Sequence, residues 1–173
     1  AIMGALGAGW LSGEQMLSAV VLGANMTEGD DWLKRPVPRA AAWFLLTVVG
    51  RVPARLFGLG PEPESRGYML DFYHWKGPSR RWLTKEGGDY WDGIRNMQVP
   101  LLAFAAANDK NDPAPGCRRM FDAAGSPDKE WVLLGKASGF SRDYEHVEMI
   151  ISKAASEEVW PRIAEWLDAH AAS

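Results

Sequence analysis

The apolar positions of this chain gather in short unbroken runs rather than in long alternating stretches. Ser18 to Ala24 (SAVVLGA) and Val99 to Ala107 (VPLLAFAAA) show no polar alternation, which is the pattern of strands covered on both faces in a parallel sheet. In the second run a proline stands near the start, where a missing N–H is tolerated. Lys129 to Leu134 (KEWVLL) predicts a third strand. Between these two, Cys117 to Ala124 (CRRMFDAA) predicts a short amphipathic helix with Met120 and Phe121 inward, stopped by Gly125-Ser126-Pro127. Ser156 to Ala169 predicts the last helix, with Ser156 as N-cap, Glu157 and Glu158 in its first turn, and Val159, Trp160, Ile163, Trp166 and Leu167 on one face. Strand, helix, strand, helix after residue 98 predicts the α/β class, a parallel sheet with helices packed on it.

The pattern changes from Asp30 to Gly93, where prolines stand at 36, 38, 53, 61, 63 and 78 among many aromatics. Arg39 to Arg51 (RAAAWFLLTVVGR) predicts an apolar helix, and the following GLGPEPESRG cannot continue it. Tyr68 to Trp75 and Trp82 to Trp91 add helical or irregular pieces. Residues 30–93 therefore read as an insertion into a core made of residues 1–29 and 94–173. The first thirteen residues (AIMGALGAGWLSG) hold four of the eighteen glycines, which suits a tight strand-to-helix turn. No internal repeat or low-complexity tract stands out.

Composition narrows the functional classes. At 173 residues and 47% apolar, the chain is long enough for one domain with a real core. The net charge of −3 comes without any block of five like charges, so neither nucleic acid nor an anionic membrane surface is an expected partner. One cysteine, Cys117, forms no internal disulfide, and the Cys and His spacings offer no metal site; a reducing compartment is expected. No apolar run reaches the about 18 residues of a membrane span, and no signal-peptide pattern is present, so the expected location is cytoplasmic. The opening Ala1-Ile2-Met3-Gly4 is what a chain cut from something longer would show.

In an open parallel sheet the ligand crevice lies beyond the carboxyl ends of the strands, so the polar loops after the apolar runs are where chemistry is expected. One loop, after VPLLAFAAA, carries Asn108, Asp109, Asn111 and Asp112. The other, after KEWVLL, leads to Asp143, Tyr144, Glu145 and His146. A carboxylate on one strand end and a histidine on the next can hold an imidazole in one tautomer and stabilise its positive charge. Asp109 and Asp112 are both candidates for that acid, and a plain turn-forming role suits either of them in a loop that ends at proline. His146 is the best placed of three histidines, since His74 lies in the insertion and His170 at the C-terminus.

The series V-P-L-L-A-F-A-A-A-N-D-K-N-D-P, R-R-M-F-D-A-A, W-V-L-L, D-Y-E-H-V-E-M-I and V-W-P-R-I-A-E-W-L resembles the C-terminal half of the α/β-hydrolases. The resemblance implies a C-terminal portion of an α/β-hydrolase-type parallel sheet with flanking helices and a helical, aromatic-rich cap insertion. It implies Asp109 as the triad acid, because Pro113 stands four residues later and the Arg118-Arg119 helix follows, with Asp112, directly before Pro113, as the alternative. It implies His146 as the triad histidine, no metal or organic cofactor, and a cap whose Trp43, Phe44, Leu45, Leu46, Phe57, Tyr68, Phe72, Tyr73 and Trp75 offer apolar surface to a small ester-like substrate; packing the insertion onto the core would use the same side chains.

The departure is as informative as the match. No G-x-S-x-G occurs in the chain; the nearest segment, Gly4-Ala5-Leu6-Gly7-Ala8, places Leu6 where the serine would be, while Ser12 and Ser138 have the wrong spacing. The earlier strands and the oxyanion-hole loop are also missing from the resemblance. Either a preceding segment or a second copy of the chain is then expected to cover the open sheet edge. Three functions remain in view: a serine hydrolase with its nucleophile elsewhere, a non-catalytic hydrolase-like domain that binds a small apolar ligand or partner, and a Rossmann-like domain with residues 4–9 as phosphate loop. The last lacks both the G-x-G-x-x-G order and an acidic residue after Ser18 to Ala24.

Overall fold

The computed structural model describes residues 7–9, 16–25, 35–50, 66–67, 69–70 and 87–171, and the chain divides into two compact units, 1–29 with 89–173 and 30–88. Most of the glycine-rich opening, including Leu6 and Ser12, and most of Tyr68 to Trp75 lie outside the described residues, as does Phe57.

The larger unit is built on three parallel strands, β1 (Ala19–Leu22), β2 (Leu101–Ala106) and β3 (Lys129–Leu134), in the order β1-β2-β3. In register, Ala19 faces Leu101 and Leu101 faces Lys129. Every residue of β2 is buried, as its unbroken apolar run requires of a strand flanked on both edges and covered on both faces. Its side chains alternate. Leu102, Phe104 and Ala106 join Val132, Leu134, Tyr144, Met149, Ala155, Val159 and Trp166 in one apolar cluster, while Leu101, Ala103 and Ala105 point to the opposite face. Full burial of a residue such as Phe104 stabilises the fold by about 1.5–3 kcal/mol.

Two helices precede and follow β2. The first, α2 (Tyr90–Asn96), starts where Asp89 accepts a hydrogen bond from the Trp91 N–H at 2.8 Å. The second, α3 (Ala114–Ala123), packs on β2 and buries Met120 and Phe121 on its inner side. Lys129, the first residue of β3, donates from Nζ to the carbonyls of Phe121 (3.0 Å), Asp122 (3.3 Å) and Ala124 (2.7 Å). Its cation thus satisfies acceptors that the end of α3 would otherwise leave without donors.

The C-terminal region departs from the sequence expectation of one helix over Ser156 to Ala169. After a short α4 (Glu148–Ile151), two pieces cover that range instead, α5 (Lys153–Glu158) and α6 (Trp160–Ala169). The N-cap is Ser152, whose Oγ accepts from the Ala155 N–H at 3.1 Å, whereas Ser156 Oγ donates to the Lys153 carbonyl at 2.7 Å within the turn. The break falls at Val159 because Pro161 has no N–H to carry the helical ladder across that turn. Val159 and Trp166 are buried as expected, but Trp160 and Leu167 are exposed.

In the smaller unit a helix, α1 (Pro36–Phe44), passes into a π-helical stretch at Leu45–Val49. Thr47 donates from Oγ1 to the Trp43 carbonyl at 2.7 Å, the competition for backbone acceptors that loosens a helix at hydroxyl residues. Arg66 Nε donates to the Leu46 carbonyl at 3.0 Å, and Leu46 and Met69 are buried while Trp43 and Phe44 are exposed. Among the described residues no helix is long and apolar enough to cross a membrane.

Candidate active site

Parallel pairing brings the carboxyl ends of β2 and β3 side by side, and the loops that leave them are stitched together at once. Ala107 N–H donates to the Leu134 carbonyl at 3.0 Å and Asn108 N–H to the Tyr144 carbonyl at 2.9 Å. Asp109 follows directly, so its position is set by the sheet rather than by a free loop.

The carboxylate of Asp109 is fully buried, with 0% of its side chain exposed. A buried charge is tolerated only when its lone pairs are occupied, and here each oxygen has a separate task. Oδ1 accepts from the N–H groups of Asn111 and Asp112, both at 2.8 Å, closing a turn of the Asx type. Oδ2 lies 2.8 Å from His146 Nδ1. The turn-forming role and the histidine-holding role, alternatives in the sequence, therefore coexist on one side chain. Since an ionised carboxylate only accepts, the contact assigns the proton to His146 Nδ1 and leaves the Nε2 lone pair for a proton from elsewhere.

Asp112 is drawn to the same nitrogen. Its Oδ2 stands 3.6 Å from His146 Nδ1, and its side chain is 29% exposed. The three residues singled out in the sequence, Asp109, Asp112 and His146, thus meet at one imidazole, with Asp109 the shorter contact. The imidazole itself is partly open to solvent.

Two features support the imidazole that the sequence did not announce. The first is Gly23, just beyond β1, which is buried and holds a left-handed backbone at φ 63°. A Cβ there would lie 2.9 Å from Met149 Cε, 3.3 Å from His146 Cε1 and 3.4 Å from His146 Nδ1, so the ring rests against bare backbone. The glycine itself was visible as the end of an apolar run; its neighbour, more than a hundred residues away in sequence, was not.

The second is a clamp under the histidine loop. Tyr144 is wholly buried, and its hydroxyl donates to Glu158 Oε2 at 2.8 Å. Glu158 also accepts from the Ser141 N–H at 3.2 and 3.3 Å. Burial, followed by the hydrogen bond to Glu158, pushes the Tyr144 phenol up to about 12. Desolvation pulls Glu158 upward, but the hydrogen bonds from Ser141 and Tyr144 outweigh it and hold the carboxyl below its ordinary value. At the ends of the same loop Asp143 Oδ1 accepts from the Lys136 N–H at 2.9 Å, and Glu148 Oε2 accepts from the Glu145 N–H at 3.1 Å. The segment that presents His146 is thereby anchored at Lys136, Ser141, Tyr144 and Glu145. Among the described residues no group of three or more histidine, cysteine or acidic side chains could hold a metal ion.

No family model matches the sequence, and none of the curated proteins compared matches it. Solved structures do. The esterase domain of a Rhodothermus marinus protein superposes with a TM-score of 0.56 at 19% identity, covering 98% of this chain and 56% of that one. A monoacylglycerol lipase of Paleococcus ferrophilus gives 0.57 at 14% identity, covering 91% of this chain and 61% of that one. Both are α/β-hydrolase structures, and the parallel sheet with flanking helices found here has their fold. At these identities the likeness concerns fold alone. The chain spans only 56% and 61% of the length of the two structures.

Proposed function

We propose that this chain is the C-terminal portion of an α/β-hydrolase that cleaves an ester or related acyl bond, with His146 as general base and Asp109 as its orienting acid. The observation that carries the reading is the 2.8 Å contact between a fully buried carboxylate and an imidazole on the loops after two adjacent parallel strands. A buried, doubly anchored acid holds one tautomer and stabilises the imidazolium that forms when Nε2 takes a proton. The names of two of the similar structures, an esterase and a lipase, agree with acyl chemistry, while a third is named a putative non-heme bromoperoxidase.

In this reading a nucleophile not recognisable in this chain loses its O–H proton to His146 Nε2 as it attacks the substrate carbonyl. The same Nε2–H then passes to the departing alkoxide, and a water, activated in turn, releases the acyl group. The inserted unit, residues 30–88, would be the cap of such an enzyme, and within it Trp43 and Phe44 are exposed. The missing G-x-S-x-G favours a second reading, a hydrolase-like domain that binds a small apolar ligand without turnover.

Hydrolysis of p-nitrophenyl esters by the native full-length protein, with a fluorophosphonate label, separates the two. The hydrolase reading predicts a labelled side chain and a loss of about 10²–10⁴-fold in His146→Ala. Saturable binding of an apolar ester with no turnover and no label establishes the second reading instead.

A further inference from the structure

Asp109 and Asp112 do not compete for one role; their geometry places two carboxylates around a single N–H. Asp109 Oδ2 is at 2.8 Å from His146 Nδ1 and Asp112 Oδ2 at 3.6 Å. They differ in burial. Asp109 is fully buried and tied through Oδ1 to two backbone N–H groups, so it has no room to rotate. Asp112 is fixed by its backbone, since its N–H donates to Asp109 Oδ1 and its carbonyl accepts from Cys117 Sγ at 3.4 Å, while its side chain stays partly exposed and needs to close less than one ångström to reach hydrogen-bond distance.

We propose that Asp112 is a reserve acid: a positioning residue that shares His146 Nδ1–H with Asp109 and takes it over when Asp109 cannot accept. The inference deepens the hydrolase reading and rests on it for its functional meaning. Its physical basis is acceptor capacity. Where one acid alone holds a histidine, exchanging it for an amide presents an NH₂ group to the ring and inverts the tautomer. Here the amide of an Asp109→Asn variant keeps an oxygen for the N–H groups of Asn111 and Asp112, and its NH₂ faces the ring, but a second carboxylate still stands beside Nδ1.

The tautomer can be read without turnover. In protein labelled with ¹⁵N-histidine at alkaline pH, His146 is assigned by its absence from His146→Ala, leaving only His74 and His170. The Nδ1–H form is expected to remain the major one in Asp109→Asn and to give way to Nε2–H in Asp109→Asn/Asp112→Asn. Inversion already in Asp109→Asn overturns the inference, as does an unchanged Nδ1–H form in the double variant. Should Asp109→Asn fail to fold, Asp112→Asn alone decides: the Nδ1–H proton resonance shifts if the proton is shared and stays in place if it is not. Ester hydrolysis keeps the two failures apart. Asp112→Asn is expected to cost about tenfold more in the Asp109→Asn background than in the parent. Hydrolysis that survives His146→Ala removes the hydrolase reading and leaves the tautomer result standing.

Discussion

Replacing Gly23 by alanine tests whether the imidazole really rests on bare backbone, and the structure supplies its own control. Two costs follow from Gly23→Ala. The left-handed backbone at φ 63° disfavours any Cβ by about 1–2 kcal/mol. The Cβ also falls 2.9 Å from Met149 Cε and 3.3 Å from His146 Cε1, and Met149 is only 1% exposed, so its methyl has no solvent to retreat into. Overpacking of that kind adds about 1–3 kcal/mol. Gly139→Ala isolates the first cost: Gly139 has φ 88°, and nothing lies within 4 Å of the Cβ position. The difference between the two variants therefore reports the contact beneath the ring, about 1–3 kcal/mol or roughly 2–12 °C in melting temperature for a chain of this size. Thermal melts of the parent and both variants are the assay, with the His146 ring resonances recorded alongside. Equal melting temperatures in the two variants, or a ring resonance in Gly23→Ala that does not move, would refute the packing described here.

Two further outcomes follow from the supporting contacts. Tyr144→Phe removes a hydrogen bond to an ionised acceptor and is expected to destabilise the fold by about 1.5–3 kcal/mol in urea titration; a loss below about 0.5 kcal/mol would show that the clamp to Glu158 carries no strain of the loop. His170 is held above its ordinary value of 6.5, first by its hydrogen bond to Asp128 and then by the Trp166 carbonyl. Its stabilisation is therefore complete below 6.5 and is lost as pH rises through the raised value of the folded state. The melting-temperature gap between the parent and His170→Gln should shrink from pH about 5.5 to about 9, and a gap that widens over that range contradicts the assignment.

Where the sequence was legible, a local pattern was enough. The unbroken run of β2 demanded burial on both faces, and Lys129–Leu134 emerged with the boundaries its residues predict. Helix α3 begins three residues earlier than CRRMFDAA suggested, because Pro113 fits just before a helix start and Ala114 and Pro115 continue from it. At the C-terminus a local rule overrides the amphipathic pattern: Pro161 interrupts the ladder, and Ser152 rather than Ser156 supplies the cap. Other features had no local signature at all. Asp109, four residues before Pro113, and Asp112, directly before it, both fit the acid of the loop, and the distances to Nδ1 separate them. Gly23 beneath His146, and Glu158 beneath Tyr144, join positions that meet only once the sheet has formed.

The division of labour at Asp109 links the turn to the imidazole. Because Oδ1 accepts from the amides of Asn111 and Asp112 while Oδ2 contacts His146, a rotation of this one carboxylate disturbs both places at once. Local opening of the turn is therefore expected to register at the ring as well, so that amide exchange at Asn111 and Asp112 and the resonances of His146 report on the same fluctuation.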